Sequence, residues 1–254
     1  MNLKAASLLK RLSFFVLRVK TSFMANSSFL IAITGGSGSG KSTLSVALSE
    51  RLGSGASVLL NEDAYYWPMS HYGDFQTELQ REKIIAEINY DDPSSKDADH
   101  LLRDLTALKN GKAIEQPIYD YSRHDRSSDT NTFHPAPILI LEGIHALSIP
   151  AIEPLIDLSV YVDTPDDLRL ARRIRRDTSE RGRSIESVLT QYLGTVRPAH
   201  YAFTHPAKFI ADLVLADEGL PAYGKVRPTP EAIERMLAPV LERLRQRGLI
   251  KAEQ

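Results

Sequence analysis

The chain has no cysteine among its 254 residues. That excludes disulfide bridges, thiolate metal sites and cysteine nucleophiles, and leaves the compartment open. No apolar stretch is long enough to cross a bilayer, so no membrane partner is expected. Charge of one sign is missing too. The 31 basic and 32 acidic residues leave a net charge of -1, with no overall field to favour nucleic acid. There is no internal repeat and no low-complexity segment. With 43% hydrophobic and 25% charged residues, the composition is that of an ordinary globular protein. The length suits one domain, or one domain with a lid.

Acids are absent from the start of the chain. Residues 1–28 carry Lys4, Lys10, Arg11, Arg18 and Lys20, and the first acidic residue is Glu50. The run "LLKRLSFFVLRVKTSF" mixes apolar and basic residues near helical spacing, as transit peptides do. Arg18 and Lys20 interrupt the apolar run that a secretory signal needs. The competing reading is a non-native extension, with Met24 as the working start and "MANSSFLIAITGG" opening the compact domain. The expected compartment is the cytoplasm, or the mitochondrion if residues 1–28 are a transit peptide.

What is present alternates strand with helix. "FLIAIT" (residues 29–34), "SVLL" (57–60), "PILILEG" (137–143), "LSVYVD" (158–163) and "ADLVLAD" (211–217) are continuous apolar runs. Such runs suit strands covered on both faces, hence a five-stranded parallel sheet. Leu101, Leu102, Leu105 and Leu108 recur at helical spacing before Gly111. Thr164 is the expected N-cap of a helix opening at Pro165, with Asp166 and Asp167 in its first turn. Ser184 should cap a helix carrying Ile185, Val188 and Leu189. Thr229-Pro230 should start a last helix, kinked at Pro239. The fold predicted is an α/β three-layer sandwich. Its organisation is a basic extension (1–28), a main domain (29–217) and a helical C-terminal segment (218–254).

The segment "GGSGSGKST" fits G-x-x-x-x-G-K-[ST], between an apolar strand and a helix. Gly35, Gly36, Ser37, Gly38, Ser39, Gly40, Lys41, Ser42 and Thr43 would form a phosphate-binding loop. Its glycines turn successive N–H groups inward, and the helix N-terminus adds partial positive charge. Lys41 would reach the β- and γ-phosphates of ATP or GTP, and the Ser42 hydroxyl would ligate Mg²⁺. In parallel sheets, ligands lie outside the carboxyl ends of the strands. Two ends carry acids. Glu142 is placed to hold the Mg²⁺ shell, and Asp63 lies across the cleft, where an acceptor hydroxyl would sit. No N-K-x-D segment is present, which argues against a GTPase. "RLARRIRRDTSERGRS" puts Arg169, Arg172, Arg173 and Arg176 on one helical face. Interspersed Asp166, Asp167, Asp177, Glu180 and Glu186 dilute its charge, so a lid over the triphosphate is a better reading than a nucleic-acid surface.

At this point the chain resembles the uridine kinases (uridine-cytidine kinases), relatives of phosphoribulokinase. The resemblance runs from about Phe29 to Asp217. It rests on "GGSGSGKST", "EDAYY", "INYDDP", "PIYDYSRHDR", "LEGI", "RRIRRDTSERGRS" and "QYLGTVRPAHYAF", in the family's order. It implies a P-loop NTPase fold with an arginine-rich lid and a small strand-rich insertion. It implies that Asp63 is the catalytic carboxylate facing the ribose 5′-hydroxyl, and that Asp91 binds the 2′- and 3′-hydroxyls. It implies that Tyr119 and His124 read the pyrimidine. Gln191 and Arg173 match further substrate contacts; Arg176, Arg181 and Arg183 match lid and substrate arginines. The implied reaction is ATP-dependent phosphorylation of uridine, and of cytidine, in pyrimidine salvage. A homo-oligomer, commonly a tetramer, and feedback inhibition by CTP or UTP are implied as well. Asp92, Ser94, Ser95 and Lys96 depart from the family's usual pattern, and "EGLPAYGKVRPTPEAIERML" does not match its usual ending. Two alternatives stay open: a P-loop kinase for another small alcohol, as in phosphoribulokinase or pantothenate kinase, and a non-catalytic nucleotide-binding module.

Overall fold

A computed structural model of the chain describes residues 27–217 and 229–251. The readings made above for residues 1–26 and 218–228 fall outside the described residues. Along the chain come β1 (Phe29–Thr34), α1 (Lys41–Leu52), β2 (Ser57–Asn61), α2 (Glu78–Glu87) and α3 (Ala98–Lys109). Then follow β3 (Ile114–Asp120), β4 (Asp125–Phe133), β5 (Ile138–Glu142), β6 (Leu158–Asp163) and α4 (Asp166–Glu180). The last are α5 (Ile185–Gln191), β7 (Leu213–Ala216) and α6 (Pro230–Gln246).

Five strands form one sheet in the order β2-β5-β1-β6-β7, with every pairing parallel. Side chains alternate across each strand, so each apolar run feeds two cores. Ile31, Ile33, Ile140, Val160 and Val162 face Leu44 and Leu48 of α1 and Met236, Val240 and Leu244 of α6. Leu30, Ala32, Leu139 and Leu141 face Leu101, Leu105 and Leu108 of α3. Sheet and helices thus make the three layers. The chain leaves β1 for β2 on one side, and later places β6 and β7 on the other. The reversal puts a crevice at the carboxyl end of β1, where the glycine-rich loop emerges.

Three helix starts differ in their chemistry. Ser184 and Thr229 cap α5 and α6 by accepting from the N–H groups of Ser187 and Ala232. Thr164 does not cap α4. Its hydroxyl donates to Ser39 O at 2.9 Å, and the helix begins after Pro165 with no side-chain cap. The buried loop carbonyl needs a partner, and Thr164 supplies it. The last helix continues through Pro239. An interior proline costs about 3 kcal/mol. Burial of Ile233, Met236, Leu237, Val240, Leu241 and Leu244 contributes about 1.5–3 kcal/mol for each such side chain and outweighs it.

The insertion is a separate antiparallel hairpin of β3 and β4, with a register shift between Pro117 and Tyr119. Its outer strand β4 is largely exposed. Beside its turn, Arg126 donates to Tyr66 O (2.9 Å) and to Asp97 Oδ2 (3.2 Å), and Met69 N–H donates to Asp125 Oδ1 (2.9 Å). These bonds hold the hairpin turn over the strand ends.

Candidate active site

The loop Gly35–Gly40 joins β1 to α1 with Gly38 at φ 83° and Gly40 at φ 93°. These are left-handed angles that a side chain would strain. A Cβ at Gly38 would also lie 2.4 Å from Arg169 O, so the loop and α4 touch backbone to backbone. Lys41, Ser42 and Thr43 form the first turn of α1 behind it. The Lys41 ammonium stands 3.9 Å from Glu142 Oε2, and Ser42 Oγ donates to Glu142 Oε1 at 3.0 Å. Burial pushes the Glu142 carboxyl up, against the opposing pull of Lys41. Its buried Oε2 has no hydrogen-bond partner. A hydroxyl beside an under-satisfied buried carboxylate suits a hard cation. Among the described residues no cluster of three or more acids or histidines could hold a metal unaided. An ion here would draw its remaining ligands from phosphate and water, as Mg²⁺ does.

Asp63 lies just beyond β2, its N–H tied to Asn61 Oδ1 at 2.9 Å. Its Oδ1 is 2.7 Å from Lys96 Nζ, and its Oδ2 accepts from the Tyr121 hydroxyl at 3.2 Å. Burial alone would raise this carboxyl. The Lys96 ammonium, the more distant Lys41 and the hydrogen bonds from Lys96 and Tyr121 overcome that and hold it well below the usual carboxylate range. The acid is therefore ionised at neutral pH. Asp91 sits on the turn before residues 93–95, and its Oδ2 accepts from Thr195 Oγ1 at 2.9 Å. Burial raises its carboxyl too, opposed chiefly by Arg173. Thr195 belongs to a wide π-type turn after α5, a feature frequent at functional sites.

Tyr119 and His124 come together with three rings that the sequence reading did not single out. Tyr66 lies 5.0 Å from Tyr119 and 5.6 Å from Tyr90; Tyr90 lies 5.3 Å from His124; Tyr121 lies 5.5 Å from Tyr119. His124 holds the hairpin turn at φ 49°, the one positive φ outside glycine among the described residues. Burial lowers its pKa, and Arg81 and Arg183 add to the effect, so the imidazole is neutral at pH 7.

The arginines of α4 do not act as one face. Arg169 is buried under the loop and donates to Thr164 O and Asp166 Oδ1. Arg172 makes a buried pair with Asp217 at 2.8 Å and reaches Ser39 O at 3.4 Å. These two brace the loop from below. The other lid arginines converge on Asp177, which is fully buried. Arg176 Nε lies 2.8 Å from its carboxylate, Arg173 Nε 3.5 Å, Arg181 Nη1 3.6 Å and Arg183 Nη1 3.7 Å. Arg173 also donates to Ser37 Oγ (3.0 Å) and Gln191 Oε1 (2.8 Å), and Arg183 donates to the same Gln191 oxygen. The Arg181 guanidinium lies 5.1 Å over the Tyr121 ring. The lid thus touches both the glycine-rich loop and the hairpin.

Sequence reasoning missed Asp177, which was read as diluting charge, and Lys96, which was read as a departure from a pattern. The one available signal was that Asp177 stands among six arginines within seven residues of it. Nothing local marks Lys96, because its partners lie more than thirty residues away.

Comparison with known proteins gives a consistent picture. The sequence matches the Phosphoribulokinase / Uridine kinase family over residues 30–219. It is 44% identical over 194 residues to a uridine kinase of Staphylococcus epidermidis, covering 76% of this chain and 90% of the relative. It is 43% identical over 194 residues to a uridine kinase of Ligilactobacillus salivarius, covering 76% and 87%. Among solved structures, phosphoribulokinase from Rhodobacter spheroides superposes with a TM-score of 0.54 at 17% identity, covering 76% of this chain and 71% of that one. D-glycerate 3-kinase from Cryptococcus neoformans gives 0.52 at 15%, covering 80% and 86%. At those identities the two structures speak to the fold alone.

Proposed function

The chain belongs to the phosphoribulokinase and uridine kinase family, and from that premise we propose that it transfers the γ-phosphoryl group of ATP to the 5′-hydroxyl of uridine, and of cytidine. The observation that carries this reading is an ionised Asp63 in the same cleft as Lys41, with an aromatic and imidazole box beside it. A pyrimidine is flat and polar-edged, and Tyr119 and His124 suit one face and one edge of it. A bare sugar phosphate would leave the box without a ring to face.

In this reading Gly35 to Thr43 cradle the donor triphosphate. Ser42 and Glu142 would hold Mg²⁺, which would supply charge neutralisation at the transferring group. Asp91 accepts from the ribose 2′- and 3′-hydroxyls, two charge-assisted hydrogen bonds. Asp63 aligns the 5′-hydroxyl and takes its proton as the new P–O bond forms and ADP departs. Lys41, Arg176 and Arg181 stabilise charge spread over the phosphoryl oxygens, while Arg173, Arg183 and Gln191 hold the nucleoside side. The transition state is loose, so positioning and charge do most of the work. GTP remains a second donor in this reading, and a tetramer is the expected assembly.

The test is a panel of nucleosides and sugars with Mg-ATP, following ADP release and product mass. Uridine and cytidine should give 5′-monophosphates with kcat/KM far above those of purine nucleosides and free sugars. Transfer to a non-nucleoside alcohol alone, or no transfer at all, would overturn the proposal. Light scattering of the purified protein checks the assembly.

A further inference from the structure

Lys96 has no role in the scheme above, yet its side chain is wholly buried at the acceptor end of the cleft. Its ammonium lies 2.7 Å from Asp63 Oδ1, 3.1 Å from Glu62 Oε1 and 3.2 Å above the centre of the Tyr66 ring. Two carboxylates and a ring face thus surround the cation. The backbone pins both partners. Trp67 N–H donates to Ser95 O (3.0 Å), Asp97 N–H donates to Tyr65 O (2.8 Å), and Tyr66 pairs with Lys96 as an isolated antiparallel bridge. Glu62 is fixed as well, since its Oε2 accepts the buried His145 N–H at 2.9 Å.

The two oxygens of Asp63 differ accordingly. Oδ1 is held by a cation that cannot leave without opening this strand pair. Oδ2 accepts only a longer bond from Tyr121, whose ring is 44% exposed on the hairpin turn. We propose that Lys96 is a positioning residue for phosphoryl transfer: it clamps Asp63 through Oδ1 and leaves Oδ2 as the atom that receives the acceptor hydroxyl in place of the Tyr121 phenol.

The proposal rests on the reading of Asp63 as the acceptor-side acid. In the transfer step the 5′-oxygen forms its bond to phosphorus, the bond to the ADP oxygen breaks, and the hydroxyl proton passes to Oδ2. With Lys96 fixed beside Oδ1, Asp63 is a weak base that orients early and accepts the proton late, as a loose transition state requires. The other groups facing this carboxylate are Lys41 from α1, Tyr121 from the hairpin, Asp91 from the turn before residues 93–95, and Glu142 and His145 at and just past the end of β5. Glu62 and Tyr66 flank Lys96 on its own side.

Lys96→Met alone strands the fully buried Glu62 without its cation, so the informative variant is Glu62→Gln/Lys96→Met. Its amide oxygen can still accept from His145. In the folded double variant kcat with uridine should fall about 30-fold or more, a large part of the roughly 10²–10⁴-fold contribution of a positioned acid or base, while KM for ATP stays within twofold of the intact value. The acidic limb of kcat should move up by about two pH units, the shift an adjacent opposite charge produces. Glu62→Gln alone should leave that limb in place. A lower melting temperature with kcat and pH profile unchanged would overturn the proposal, since Lys96 would then be structural only. Carbon-13 NMR of the Asp63 carboxyl, assigned with Asp63→Asn, needs no acceptor. If the intact protein fails to phosphorylate uridine, the functional reading fails. The carboxyl titration still decides whether Lys96 holds the group: an unchanged midpoint in the double variant overturns the clamp, and an upward shift supports it.

Discussion

Two buried ion clusters face each other across the cleft, and they are built with opposite signs. On the lid side one carboxylate, Asp177, gathers four guanidinium groups. On the acceptor side one ammonium, Lys96, sits between two carboxylates. Two of the lid arginines keep part of their surface in water: Arg176 is 33% exposed and Arg181 40%. The acceptor lysine has none. In the proposed reaction the difference gives each cluster its part: surplus positive charge around a single fixed anchor suits the triphosphate, and a surplus carboxylate oxygen suits the hydroxyl proton. Neither cluster needs to stabilise the fold, because buried ion pairs often only break even against apolar packing.

The largest effect should come from removing the acceptor-side acid. Asp63→Ala should lower kcat by about 10³-fold or more, with ATP binding retained by titration calorimetry; near-normal turnover would erase the contrast between the clusters. Next is Asp177→Asn. Leaving four arginines without their buried anchor should cost about 3 kcal/mol of stability, as breaking a buried pair does. It should also raise KM for ATP, and urea unfolding together with initial rates measures both. Unchanged stability would mean that the arginines are held by solvent and Gln191 rather than by Asp177. A smaller effect belongs to the box over the acceptor. His124→Ala should raise KM for uridine about tenfold, in the range of one base–aromatic contact, and leave KM for ATP unchanged. Equal changes in both would assign His124 to the lid instead.

The smallest effect is a matter of pH and lies on the loop side. His200 is buried beside Gly36, and burial, with Arg169 adding to it, depresses its pKa from the ordinary 6.5 to about 4. Between these values the unfolded chain binds more protons than the folded one, so stability rises with pH across that window. Below about pH 4 the penalty is complete. His200→Gln should flatten the slope of stability between pH 4 and 6.5, read as the shift in urea midpoint. A slope equal to that of the intact protein would place the titration elsewhere.

Much of the architecture was legible in the amino-acid order. Continuous apolar runs marked all five sheet strands to within two residues, because a strand covered on both faces has no polar alternative. The phosphate loop was legible because its glycines and lysine are contiguous. Asp63, Asp91, Tyr119, His124 and the lid arginines came from ordered motifs, and the structure gathers them around one cleft. Lys96, Tyr66, Tyr90 and Asp177 were not legible as site residues. Their meaning depends on which distant segment folds against them, and a lone lysine after two serines carries no such information. Thr164 was misread for a related reason. Locally it is an ideal cap, but the buried carbonyl of Ser39, 125 residues away in sequence, captures its hydroxyl.

The hairpin meets the rest of the protein along the largely buried β3 and beside its turn, through Arg126 and Asp125, while β4 faces solvent over most of its length. Two of the rings in the box, and the imidazole, ride on it; the triphosphate cradle rides on β1 and α1. In the proposed reaction, selection of the molecule and cleavage of the donor would therefore be carried by separate stretches of polypeptide. A change of loop length or side chain on the hairpin can retune the choice of guest while the engine on the sheet keeps its geometry.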